Sequence, residues 1–70
     1  MRVVVQGKDL AVGDVWDDGT GLRSILAVYD RDMLVEWEPH DPAASRDMLI
    51  LPKRLFAEGR CGRRVLTAEQ

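Results

Sequence analysis

Ile25-Leu26-Ala27-Val28-Tyr29-Asp30-Arg31-Asp32-Met33-Leu34-Val35-Glu36-Trp37-Glu38 is the stretch that decides the fold of this 70-residue chain. Two runs of aliphatic, β-branched and aromatic residues flank a charged tripeptide. Such residues favour strands, and the polar Asp30-Arg31-Asp32 interruption suits a turn. The stretch predicts a β-hairpin with strands over 22–29 and 33–38. Register selects the core, because a one-residue slip moves every side chain to the opposite face. A three-residue loop pairs Tyr29 with Met33, Ala27 with Val35 and Ile25 with Trp37, giving one wholly apolar face. The shifted alternative pairs Val28 with Val35 and Leu26 with Trp37. Val35 and Trp37 point inward either way; with Val28 and Leu26 they form the predicted core.

On the N-terminal side, Arg2 to Gln6 is a Val-rich strand closed by Gly7. Apolar residues follow at Leu10, Val12 and Val15, and Gly13-Asp14 breaks their alternation, which predicts a turn or bulge before a short strand at Val15-Trp16. Asp17 to Gly21 has turn chemistry, since Asp side chains bond nearby amides and glycine tolerates positive φ. On the C-terminal side, two prolines make Pro39 to Asp47 a loop. Met48 to Leu51 is a short apolar strand stopped by Pro52. Lys53 to Ala57 fits one helical or 3₁₀ turn, with Leu55 and Phe56 filling the end of the fold. Glu58 to Gly62 is a turn, Arg63 to Thr67 a closing strand, and Ala68 to Gln70 a frayed end.

Five or six short antiparallel strands with one short helical or 3₁₀ turn predict an all-β fold, a small SH3-like barrel, as one domain over 1–70. Asp9-Leu10-Ala11-Val12-Gly13-Asp14-Val15-Trp16, the hairpin, and Leu49-Ile50-Leu51-Pro52-Lys53-Arg54-Leu55-Phe56 together carry a resemblance. Over residues 9–66 the chain resembles the small SH3-like β-barrel proteins of actinobacteria and their phages. The resemblance implies that Gly13 serves the opening turn, Trp37 the core and Leu51-Pro52 the approach to the last turn. It implies a fold and no particular activity. Eight Arg, two Lys and no Asn also match the codon bias of a high-GC genome.

Cys61 is the only cysteine and His40 the only histidine. An intramolecular disulfide is therefore impossible, and one Cys with one His does not make a structural zinc site. Reinforcement of so small a core is left to association, so the chain is expected to form a homo-oligomer. Val3, Val4 and Val5 are the candidate oligomer contacts, because a flat apolar edge recruits another strand. There is no run of 18 apolar residues, and the N-terminal apolar run is too short for a signal peptide, so no membrane contact is expected. With a lone thiol, this predicts a cytoplasmic protein.

Charge is unevenly spread. Residues 1–47 carry ten acidic and five basic side chains, and residues 48–70 carry two acidic and five basic ones. The basic set, Lys53, Arg54, Arg60, Arg63 and Arg64, is the candidate contact surface for an acidic partner or for nucleic acid, with Trp16 or Tyr29 available to stack on bases. A net charge of −2 and a pI near 5.2 argue against nucleic acid, which needs a basic field. Complementary ends favour head-to-tail association or a host protein partner.

No residue set adds up to a catalytic, cofactor or metal site. His40 beside Asp41 offers one imidazole and one carboxylate. Cys61 sits among Arg60, Arg63 and Arg64, whose charge favours thiolate, but it lacks a base nearby in sequence. Asp17/Asp18 and Asp30/Asp32 have turn roles, and Glu36/Glu38 share a strand's solvent face. Gly19-Thr20-Gly21 lacks the Gly-Lys-Ser/Thr ending of a phosphate loop. The sequence thus predicts a non-enzymatic interaction protein without cofactors.

Overall fold

The hairpin is built from β4 (Gly21–Val28) and β5 (Asp32–Pro39), turning through a link from the Tyr29 N–H to the Asp32 carbonyl. These elements come from a computed structural model that describes residues 2–68. The register matches neither of the two expected pairings. Val28 faces Met33 and Ala27 faces Leu34, but Ile25 faces Val35, so Leu26 is an extra residue in a bulge. A bulge changes facing parity partway along a strand. Ile25 therefore joins Met33 and Val35 in the fully buried core. Leu26 is not a core residue: it is thrown outward and is 42% exposed. Val28 is half-buried and packs against the core from its edge.

Around the hairpin the chain adds β1 (Arg2–Val5), β2 (Lys8–Ala11), β3 (Val15–Asp17), β6 (Asp47–Pro52), α1 (Lys53–Ala57) and β7 (Arg63–Leu66). The described residues thus hold seven strands rather than five or six, in two antiparallel sheets with one short helix. β1 and β2 form a two-stranded hairpin across a Gln6-Gly7 turn. The larger sheet runs β6-β5-β4-β3-β7, so the last strand returns to the first strand of a meander. No helix among the described residues is long and apolar enough to cross a membrane.

The core gathers Leu10, Trp16, Ile25, Met33, Val35, Phe56 and Cys61. Phe56 reaches it because α1 stops after one turn and ends in paired bonds, Gly59 N–H to the Phe56 carbonyl and Arg60 N–H to the Leu55 carbonyl. Its ring meets Trp16 edge-on, with centroids 5.5 Å apart at 75°, a favoured aromatic geometry. Trp16, not Trp37, is the buried indole. Trp37 lies near the open end of the sheet and is only partly covered, its ring lying over Gly21. A β-carbon at Gly21 would stand 2.6 Å from the indole nitrogen. Gly62, at φ +86°, is tighter still: a β-carbon there would fall 1.8 Å from the Asp17 carbonyl oxygen, so neither conformation nor space admits a side chain.

Phe56→Ala is expected to cost about 3–5 kcal/mol, the usual range for emptying a large aromatic site. Leu26→Ala should stay within about 0.5 kcal/mol, as for exposed positions. Urea denaturation of both variants checks the bulged register. Similar losses for the two would show that Leu26 faces the core.

Candidate functional site

Arg2, Asp9, Asp14 and Arg64 are brought together by the pairing of β1 with β2 and of β3 with β7. Asp14, in the turn between β2 and β3, has no exposed surface. Its carboxylate accepts from Arg2 Nη2 at 2.5 Å and Nη1 at 3.2 Å, and from Arg64 Nη1 at 3.2 Å. It also accepts from the Ala11 N–H at 3.2 Å and the Ala68 N–H at 2.7 Å. Arg2 Nε bonds Asp9, and Arg64 Nη1 reaches the Asp9 carbonyl at 2.7 Å. Burial alone pushes the Asp14 carboxyl up, but the bonds from Arg2, Ala68 and Arg64 outweigh it and hold it below the ordinary 3.8. Ala68 is therefore tied down rather than frayed; Glu69 and Gln70 of the expected frayed end lie outside the described residues.

This network divides the basic cluster expected from sequence. Arg64 is committed inward to Asp14 and Asp9 and also lies over the Trp16 ring, 5.6 Å from its centroid. Arg60 pairs with Glu58 at 3.2 Å. Arg63 lines a cleft of about 390 Å³ with Lys8, Asp9, Trp16 and Arg64. Lys53 and Arg54 line a different cleft, of about 540 Å³, with Val4, Val5, Asp30, Arg31 and Asp32. Lys53 Nζ donates to the Asp30 carbonyl there, at 2.8 Å. The five cations do not form one face.

The remaining candidates are likewise placed by local chemistry. His40 Nε2 meets Asp17, not Asp41, at 3.0 Å. That contact, with the Gly19 N–H, holds the Asp17 carboxyl low. Asp18 is held at about 2: burial opposes ionisation, but Thr20, Gly21 and Arg23 all donate to it. Glu38 pairs with Arg46 at 2.8 Å. Cys61 is buried, and the arginine that reaches its Sγ is Arg23, at 3.3 Å. Burial raises the thiol more than Arg23 lowers it, so the thiolate expected from the neighbouring arginines is disfavoured. Among the described residues, no three His, Cys, Asp or Glu side chains gather as a metal site.

The outer face of the large sheet carries exposed apolar side chains. Residues directly opposite in a sheet share a face. Register places Ile50, Leu34 and Ala27 in one outward row, with the bulged Leu26 beside it. Met48, Glu36, Ser24, Val15 and Leu66 form the next. Ile50 is 59% exposed and Met48 52%. Both stand on β6, the edge strand. The opposite edge, β7, carries Arg63 and Arg64 and a register shift against β3, two of the devices that protect edges. Between Asp47 and Pro52, β6 has neither charge nor bulge. Of the expected oligomer contacts, Val3 and Val5 pack against the core within the same chain, and Val4 stands 73% exposed. The charge-free run Met48-Leu49-Ile50-Leu51 was the sequence signal for this edge, although strand order was not readable from it.

Comparison with known proteins finds no matching family model, curated protein or solved structure.

Asp14→Asn should cost about 3–5 kcal/mol, because it leaves two guanidinium groups without their buried counter-charge. Stability should also fall in acid. Asp14 and Asp18 have lowered folded-state pKa values, so their contribution is complete above 3.8. It is lost as pH drops through the folded values, about 2 for Asp18. Urea midpoints between pH 7 and pH 2 check this; an unchanged midpoint down to pH 2 would contradict it.

Proposed function

We propose that this chain is a non-enzymatic interaction module that binds another protein through β6 and the outward apolar face beside it. Exposed Met48 and Ile50 on an edge strand with neither charge nor bulge between Asp47 and Pro52 are the observation that carries the proposal. Contiguous exposed apolar surface marks interaction sites. An open sheet edge offers main-chain hydrogen bonds to an added strand, with alternate side chains supplying specificity. The meander, the short helix and a last strand returning to β3 support an SH3-like arrangement. Eight Arg with two Lys and no Asn support a high-GC source such as an actinobacterium or its phage, and the lone thiol supports the cytoplasm as the place where it would act on a host protein.

Nucleic-acid binding is the second reading. The cleft shared by Lys8, Arg63 and Trp16 favours it, but Arg60 and Arg64 already have acidic partners within the fold. The apolar edge therefore ranks first.

Affinity capture with the wild-type chain, Met48→Lys/Ile50→Lys and Val12→Lys tests the proposal, Val12 being exposed but outside β6. Wild type and Val12→Lys should retain a common protein that the double variant loses, and the same ranking should hold in titrations with that protein purified. Equal binding by all three folded chains would overturn the assignment to β6.

A further inference from the structure

The hydrogen-bond pattern of β6 identifies which of its backbone groups are free. In an antiparallel pair, hydrogen-bonded and non-hydrogen-bonded positions alternate. Lys53 N–H donates to the Arg31 carbonyl at 3.0 Å, in register with the β5–β6 ladder. Counting back along the strand turns the N–H and C=O groups of Leu51 and Leu49 toward β5. Those of Ile50 and Met48 then face away from the sheet. The Met48 N–H confirms the count, since it is bonded at 2.9 Å to the side chain of Asp47 instead of to β5. The two residues with outward backbone groups are thus the two with exposed apolar side chains.

Charge says what fits there. β6 begins with acidic Asp47, beside an Arg46 already paired with Glu38, and is followed after Pro52 by basic Lys53 and Arg54. A parallel neighbour would set like charges side by side. An antiparallel copy of the same strand sets each Asp47 against a Lys53, while Arg46 stays with its own Glu38. We infer that two copies of this chain pair along β6, antiparallel and about a two-fold axis at Ile50. The inference rests on β6 being the interaction edge proposed above, and it names a second copy as the occupant.

This register is defined by the residues themselves. Antiparallel partners must lie on the same face, so the axis passes through a residue and not between two. At Ile50, the two isoleucines exchange N–H···O=C bonds. The Met48 N–H of each copy leaves Asp47 for the Pro52 carbonyl of the other, a position at which proline still supplies an acceptor. Asp47 then stands opposite Lys53 of the second copy, twice over. An axis at Leu49 would instead place each Asp47 against apolar Leu51. The result is an isologous contact in which two five-stranded sheets become one. It brings together the Met48 and Ile50 side chains of both copies.

Light scattering coupled to size exclusion, over tens to hundreds of micromolar full-length chain, should approach twice the 7.9 kDa mass of one chain. Ile50→Lys should return it to one chain, since the axis sets the two lysines together. Asp47→Lys and Lys53→Asp should each weaken the dimer, and the double swap Asp47→Lys/Lys53→Asp should restore it. Under mild oxidation, Ile50→Cys in a Cys61→Ser background should cross-link as a dimer, while Val4→Cys in that background should not. A wild-type chain that stays monomeric throughout, or cross-links through Val4→Cys and not Ile50→Cys, overturns the inference. The two proposals fail separately. A monomeric wild type whose partner binding is lost in Met48→Lys/Ile50→Lys leaves the edge as a site for another protein. A monomeric wild type whose partner binding is untouched by that variant removes the edge itself.

Discussion

A fully buried carboxylate in the turn between β2 and β3 organises this fold. Asp14 accepts five hydrogen bonds, from Arg2, Arg64, Ala11 and Ala68. Removal of a carboxylate from water is costly unless its oxygens are fully used, and here they are used by both ends of the chain. The smaller sheet, the strand that closes the larger one and the tail beyond it meet at this one side chain. β1 and β7, far apart in sequence, are joined at Asp14 by charge.

That arrangement determines what the surface can do. Two thirds of the way along the sequence the balance turns basic, which suggests a patch for acidic partners. In the fold, Arg64 is spent on the internal carboxylates and Arg60 on Glu58. Lys53 and Arg54 lie on one cleft and Arg63 on another. Of the basic set, Arg64 alone is paired with carboxylates of the acidic part of the chain, and Arg60 is paired within its own segment. The outer face of the large sheet also leaves Leu26, Met48, Ile50 and Leu66 exposed.

The strands around the charged tripeptide were legible because each is long and rich in strand-forming residues, and the Phe56 turn was legible from Pro52 and the apolar pair after it. The facing of the hairpin was not. A bulge at Leu26 depends on how the strand must bend to meet its neighbours, and no residue type there announces it. Ile25 and Leu26 are chemically equivalent to a sequence reader, yet one is buried and the other open. The two tryptophans were exchanged for a related reason. Trp37 alternates correctly with Val35, but it sits where the sheet ends over Gly21, whereas Trp16 gains cover from Phe56 and Arg64. Asp14 resembled a turn residue because its partners, Arg2 and Arg64, are distant in sequence and reach it only once β1 and β7 are paired.

The two edges of the large sheet show how these constraints bear on function. An edge strand exposes unused hydrogen-bonding groups, and natural sheets normally blunt them with charge or irregularity. β7 does so with residues the fold already needs: Arg64 anchors Asp14, and the register shift beside it disturbs the ladder. β6 has no such internal duty, and its only polar guard is Asp47, whose carboxylate covers the single Met48 N–H. A strand added at β6 would exchange that one local hydrogen bond for several along the ladder. Any strand added there would have to satisfy the outward backbone groups of Ile50 and Met48, the requirement that Asp14 meets in the interior.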